Sequence, residues 1–277
     1  MSGSCGTQPR LARITLFPIK SLEGLPADSA EVLAGGAIKH DRQFAIQDKR
    51  GRFINGKRTD RVHRLRSDCD PVARRVTFQT ADVPGSVSFQ IDDDRADLEA
   101  WLSDFFSIPV TFVEDAAHGF PDDTDAPGPT VISTATLQAI TEWFPEIDLD
   151  EARRRFRANL EIEGTEPFWE DRLFAEEGTT VAFRIGSVTL GGVNPCARCV
   201  VPSRDAGTGH RTERFHEQFI EHRRRTLPDW SERSRFNHFY RLAVNTRPLI
   251  AAEQPDIQPL GSVQVGQMVQ ISGRRPM

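Results

Sequence analysis

Long apolar runs are missing from this sequence. No segment approaches the roughly 18 consecutive apolar residues that a membrane-crossing helix needs, so no membrane span is expected. The start, Met1 to Arg10, is polar and has no apolar h-region, which predicts no signal peptide. Cysteine is scarce. Four in 277 residues make no disulfide framework, and this predicts a reducing, cytoplasmic setting. An excess of positive charge is missing as well. The net charge is −5 and the isoelectric point about 5.8, which argues against nucleic acid as a main partner.

What is present is a chain long enough to bury a sizeable core, and its length predicts two domains. Leu11 to Phe17 alternates apolar and polar side chains and reads as a strand. Glu31–Leu33 and Phe44–Gln47 read as further short strands. Val76–Phe78 and Ser86–Ile91 read as a strand pair around turn residues Asp82 to Gly85. Closely spaced short strands with Gly/Asp turns favour a small sheet or barrel. Asp94 to Phe106 is the first clear helix, with Leu98, Trp101, Leu102 and Phe105 on one face. The Pro- and Asp-rich stretch His118 to Pro129 reads as a loop, and the domain boundary falls in it or just before it.

Beyond it, Ser133 is expected to cap a helix running to Trp143-Phe144, and Asp150 a second, short one. The Arg153-Arg154-Arg155 run on that second helix reads as a solvated face. Phe156 to Ile162 reads as a strand, with Arg157 and Asn159 alternating onto one face. Val181–Ile185, Val188–Leu190 and Leu242–Val244 are strands, and Glu213 to Arg225 a helix. Ser262 to Ile271 alternates about a glycine turn, as a barrel-closing hairpin does. The fold class expected is mainly β with flanking helices (α+β).

The chain is organised around Asn194 to Gly209, which carries Cys196 and Cys199 three apart in a turn-rich loop. Arg198 adjoins Cys199, and a neighbouring guanidinium favours the thiolate, the form that attacks electrophiles and binds soft metal centres. Other readings stay open on spacing alone. The pair could be a redox disulfide, although Pro202 does not suit the helix that usually follows one. With His210 and His216 it approaches a zinc-site spacing. Both thiols could also be small buried apolar groups. Elsewhere, Lys20 and Ser21 follow the first strand and Arg42 precedes the Phe44 run. Lysine plus serine at a strand corner suits phosphate, and a face bearing guanidinium and amide suits a polyanionic or heteroaromatic ligand.

Together these pieces resemble a family. Phe17-Pro18-Ile19-Lys20-Ser21 resembles the "YPIKS" opening of the MOSC N-terminal β-barrel domain, and His40-Asp41-Arg42-Gln43-Phe44 its "RDRxW" segment. Phe156-Arg157-Ala158-Asn159 is similar to the "FRPN" strand of the MOSC domain, Pro167-Phe168-Trp169-Glu170-Asp171 to its "PFxED", and Cys196 to Gly209 to "CxRCxxxxxDxxTG". The resemblance implies an N-terminal barrel over 9–115 and a MOSC barrel over 125–274. It is similar to the mitochondrial amidoxime-reducing component and its bacterial counterparts. It therefore implies a molybdenum-cofactor oxidoreductase that reduces N-hydroxylated or N-oxide compounds.

The implied cofactor is Mo-molybdopterin, with Cys199 as metal ligand and catalytic residue. The implied cofactor-binding residues are Lys20, Ser21, Arg42, Asp125, Arg157, Asn159 and Arg198. The implied partners are a small N-hydroxylated substrate and a separate electron donor of flavin, haem or ferredoxin type, since no further cysteines follow. The alternative it leaves is a cofactor-binding or sulfur-carrier module like the end of cofactor sulfurases. Departures lie at Ala158, Ala197, Pro202-Ser203 and Phe239, where the relatives carry proline, serine, threonines and tyrosine. These bear on the substrate more than on the cofactor. No lysine follows Lys57, so no Schiff-base chemistry is expected in the second half.

Overall fold

The structure is a computed structural model, and it describes residues 8–80, 84–249 and 255–276. The first half contributes β1 (Arg10–Leu16), β2 (Leu25–Ala27), β3 (Ser29–Leu33), β4 (Phe44–Asp48), β5 (Leu65–Asp70), β6 (Arg75–Thr80), β7 (Ser86–Gln90), α1 (Arg95–Phe106) and β8 (Val110–Glu114). The second contributes β9 (Val131–Ser133), α2 (Thr134–Trp143), α3 (Leu149–Phe156), β10 (Leu160–Glu163), β11 (Thr179–Ile185), β12 (Val188–Ala197), α4 (Phe215–Arg225), β13 (Arg241–Pro248), β14 (Pro259–Gln264) and β15 (Val269–Pro276). The chain is mainly β with flanking helices, as the sequence pattern predicts. Of the turn expected at Asp82 to Gly85, Asp82 and Val83 lie outside the described residues.

Among the described residues the strands do not close into the barrels expected. One sheet of eight strands runs β15-β11-β12-β13-β9-β10-β1-β2, beside a β5-β6-β7 sheet and the pairs β14-β3 and β4-β8. The large sheet does curl. Leu11 N donates to Gln267 O at 2.8 Å and Gly266 N to Leu11 O at 2.7 Å, so β1 reaches the turn before β15. Only an isolated bridge, Arg10 to Met268, forms there, and no ladder seals the seam.

The two halves are interwoven. β1 pairs with β10 from Arg10↔Glu163 to Ile14↔Leu160, which carries the first strand into the second half's sheet. β14 runs the other way and pairs with β3. This corrects the hairpin expected over Ser262 to Ile271. Gly266 makes the turn at φ +88°, but β14 and β15 diverge to different sheets. β14 thereby buries Val263 in the core of the large sheet, while β15 pairs with β11.

Local chemistry sets the helices. Ser133 accepts from Thr136 N at 3.1 Å and caps α2. The cap of α3 is Asp148, which accepts from Glu151 N at 2.7 Å, and not Asp150. The strand expected from Phe156 begins only at Leu160. Phe156 ends α3 against Phe215 and Phe219, and Arg157 turns left-handed at φ +52°. A helix end followed by a turn has reproduced the alternation of a strand. Among the described residues no helix is long and apolar enough to cross a membrane.

Glu170 and Asp171 anchor the second half from within. Asp171 pairs with buried Arg223 at 2.5 Å and accepts from Ser231 Oγ at 2.5 Å. Glu170 Oε2 accepts from Thr136 Oγ1 at 2.9 Å and Ser133 N at 3.3 Å, while its Oε1 is buried without a partner. Burial and the charge of Asp171 push Glu170 up to about 7, from a usual 4.5. A raised folded-state value means that the fold is favoured while Glu170 is protonated. That contribution is complete below the unfolded value and is lost as pH rises through about 7. Glu170→Gln keeps an acceptor without the charge. It is expected to flatten the pH dependence of unfolding free energy between about pH 5 and 8 and to exceed wild type at the alkaline end, as read by denaturant titration. Superimposable profiles for the two proteins would contradict this.

Candidate functional site

The opening segment and the His40–Phe44 segment lie side by side through backbone bonds. Arg42 N donates to Phe17 O at 2.7 Å, Phe44 N to Pro18 O at 2.9 Å and Lys20 N to Phe44 O at 2.7 Å. This pairing puts Lys20, Ser21 and Arg42 on one wall of a cavity of about 610 Å³. Arg157, Asn159, Arg198, Cys196 and Cys199 line the same cavity. Three of these residues are left-handed without being glycine: Ser21 at φ +72°, Arg42 at φ +50° and Arg157 at φ +52°. Such backbone costs on the order of 1–3 kcal/mol per residue and persists only where surroundings over-determine it.

The cavity is rich in cations. Lys20 Nζ is buried and donates to Asp122 Oδ1 at 2.7 Å and to Phe120 O at 2.8 Å; burial lowers its pKa despite Asp122. Desolvation works against the charge of Asp122, but Lys20, Arg42 and Lys57 outweigh it and hold the carboxyl well below the usual range. Arg42 donates to Asp41 and to Asn159 Oδ1. The guanidiniums of Arg42 and Arg157 both lie over the Phe17 ring, at 5.2 and 4.1 Å. Among the described residues the Arg157 side chain has no hydrogen-bond or ion-pair partner. Burial and the charge of Arg42 bring it down to about 10.

Asn159 is a junction. Its Nδ2 donates to Asp41 Oδ1 at 3.0 Å and Thr15 O at 3.1 Å; its Oδ1 accepts from Arg42 and from Thr130 N and Oγ1. Every polar valence is used within the protein. Its amide therefore positions Arg42 and joins the chain at Thr15, Asp41 and Thr130.

The cysteines sit at the end of β12 and just after it. Arg198 Nη1 reaches Cys196 Sγ at 3.2 Å, so the guanidinium expected beside Cys199 instead faces the first thiol. Its Nη2 donates to Phe156 O at 2.7 Å, and its Nε is buried without a partner. Val201 N lies 3.5 Å from Cys199 Sγ. The Tyr240 hydroxyl is also buried and unpartnered. Burial raises its pKa, and the charge of Arg198 opposes the shift. Cys69, in the β5 core, is of another kind: burial pushes its thiol up to about 12, which makes it unreactive.

The loop after Cys199 is shaped by its own motif. Asp205 Oδ1 accepts from Gly207 N, Thr208 N and Thr208 Oγ1 at 3.0, 2.7 and 2.8 Å. It is also tied to α3. Glu151 Oε1 accepts from Ala206 N at 2.8 Å and from Arg155 Nε at 2.6 Å, and Arg155 Nη1 donates to Thr212 Oγ1 at 2.9 Å. The arginine run is thus not one solvated face. Only Arg154 is half exposed; Arg153 pairs with Glu161, and Arg155 is 4 % exposed.

Asp125 is exposed and lies outside the cavity; Asp123 lines it and accepts from Asn245 Nδ2 at 3.0 Å. Acidic residues crowd this loop, and spacing could not tell which turns inward. His63, Asp122 and Asp123 are at the site without having been singled out. A lone histidine in a short turn leaves no pattern to find. The zinc spacing does not assemble: His210 is exposed, and the His216 ring packs on Tyr240 at 4.4 Å. No three His, Cys, Asp or Glu side chains gather as metal ligands among the described residues. Asn159→Ala would strand Asp41, Thr130 and Arg42 at once. It is expected to cost about 2–4 kcal/mol of unfolding free energy in denaturant titration; a loss within about 0.5 kcal/mol would contradict the junction.

Over 74% of its length the chain is 23% identical to the molybdenum cofactor sulfurase of Drosophila mojavensis. It is 24% identical to molybdenum cofactor sulfurase 2 of Culex quinquefasciatus, again over 74% of its length. It spans only 29% and 31% of those two proteins. The YuaD protein of Bacillus subtilis superimposes over 95% of both chains at 13% identity and a TM-score of 0.37, too loosely to bear on the fold. The MOSC N-terminal beta barrel domain family matches residues 8–117 and the MOSC domain family residues 129–270. The cavity lies among residues of both matched regions, and the chain belongs to the MOSC domain family.

Proposed function

We propose that the chain is a molybdenum-cofactor protein and acts as an oxidoreductase on N-hydroxylated or N-oxide compounds, with Cys199 as the metal ligand. The observation that carries this reading is the single cavity shared by the Cys196/Cys199 pair and the basic wall of Lys20, Ser21, Arg42, Arg157 and Arg198. The donor set fits the group. A soft thiol suits molybdenum. A cavity with unpaired guanidinium donors at Arg157 and at Arg198 Nε suits an anionic heterocycle bearing phosphate.

In this reading Lys20, Ser21 and Arg42 bind the phosphate, and Asp122 releases Lys20 to do so. Arg157, unpartnered over Phe17, faces the heterocycle. Asn159 acts by holding Arg42 and not by direct contact. The backbone N–H of Val201 sits beside Cys199. When bound, the cofactor supplies the two-electron reduction, and the protein supplies binding and orientation. Electrons come from a separate donor protein.

A second reading is favoured by the likeness to proteins named molybdenum cofactor sulfurase. In it the chain is a cofactor-binding or sulfur-carrier module, with a persulfide on Cys199. The two separate in one experiment on cofactor-loaded protein. Cys199→Ala is expected to abolish N-hydroxy reduction with a supplied electron donor. Near-wild-type turnover in that variant would contradict the ligand role. A cyanide-releasable sulfur on wild-type Cys199, with no reductase turnover, would transfer the assignment to the carrier.

A further inference from the structure

A second cavity, of about 720 Å³, adjoins the first. The two share Ser21, Val62, His63, Arg155, Phe156, Arg157 and Val201 as a common wall. Arg66, Arg153 and Arg154 also line the second cavity, but each is already matched by a carboxylate: Arg66 by Glu23, Arg153 by Glu161 and Arg154 by Glu151. Arg204, His63 and Arg157 are different.

Arg204 spends one nitrogen on Gly209 O at 2.9 Å, while its Nε is buried with no partner. The His63 Nε2 is likewise buried with no partner. The Arg157 side chain has no polar partner among the described residues. His63 lies within the field of the other two. Burial, then the charges of Arg204 and Arg157, lower the His63 pKa, while Asp60 and Asp205 oppose the shift. The imidazole is also closely seated. A Cβ on Gly56 would lie 2.7 Å from His63 Nε2, and one on Gly209, already at φ +76°, would lie 3.3 Å from its Cδ2. The buried nitrogens of Arg204 and His63, unpartnered among the described residues, are costly unless a polar group arrives.

We infer that His63 and Arg204 form an oxyanion subsite beside Arg157, where the two cavities meet, and that it takes a carboxylate or phosphate carried by the substrate. The inference deepens the oxidoreductase reading and rests on it for the word substrate; the anion site itself does not depend on that reading. The substrate class becomes an N-hydroxylated compound with an acidic tail. The reducible end occupies the cavity of Cys199 and the tail enters the second cavity. A planar guanidinium and a ring N–H match the oxygens of such a tail, as charge-assisted donors do.

The test is calorimetric titration with inorganic phosphate, on both cofactor-free and cofactor-loaded protein. Wild type loaded with cofactor is expected to bind one phosphate. Arg204→Gln is expected to weaken that binding by about tenfold or more, and Arg204→Lys, which keeps the charge, to weaken it less. Circular dichroism of each variant checks the fold. Equal phosphate affinity in Arg204→Gln and wild type, loaded or cofactor-free, would overturn the subsite. Phosphate binding that depends on Arg204 in cofactor-free protein but vanishes on loading would assign these residues to the cofactor and overturn the substrate role. If no cofactor loads at all, the oxidoreductase reading fails, while the cofactor-free titration still decides whether the anion site exists.

Discussion

Like charges repel most where water is scarce, and this protein gathers Lys20, Arg42, Arg157 and Arg198 around one cavity. The surrounding architecture is what holds them there. Asp41 accepts from Phe17 N at 2.8 Å, from Asn159 and from Arg42, and so provides a fixed negative partner at the base of the cluster. Phe17 offers its ring to two guanidiniums. The left-handed turns at Ser21, Arg42 and Arg157 aim the side chains, and the junction at Asn159 keeps those turns in register. The strain and the repulsion are both offset by a network that is satisfied at almost every atom, except where donors are left open to the cavity.

The interweaving of the two halves serves the same end. β1 carries Phe17 and Lys20 out of a strand paired with β10, so the start of the chain and Arg157–Asn159 are neighbours by sheet register. β12 delivers Cys196 to the same cavity from the middle of the large sheet. The loop beyond Cys199 is fastened to α3 through Arg155 and Glu151, so the residues after the thiol have little freedom to move away. Cations and thiols thus reach one space from distant parts of the chain.

Much of this was legible in the sequence. The alternating and short apolar runs located most strands, and Ser133 marked the start of α2. The motifs around Lys20, Arg42, Arg157 and Cys199 picked out side chains that the fold brings together. Two of the failures share a cause: partners distant in the chain decided the outcome. Phe156 to Ile162 alternates like a strand, yet Phe156 belongs to a helix because Phe215 and Phe219 cover it. Ser262 to Ile271 has the pattern of a hairpin, yet β3 and β11 claim its two arms. Arg198 stands next to Cys199 in the chain and beside Cys196 in space. Asp125 and Asp123 are indistinguishable by composition, and only the folded loop turns Asp123 inward. His63 belongs to no periodic pattern and becomes visible only as a buried nitrogen without a partner.

The central claim is that this cationic, thiol-bearing cavity holds a molybdenum cofactor. The most direct test is to purify the protein from a host that makes the cofactor and to measure molybdenum, zinc and released oxidised pterin per chain. The account predicts molybdenum and pterin each near one equivalent, and little zinc. Zinc without pterin, or neither metal nor pterin, would contradict it.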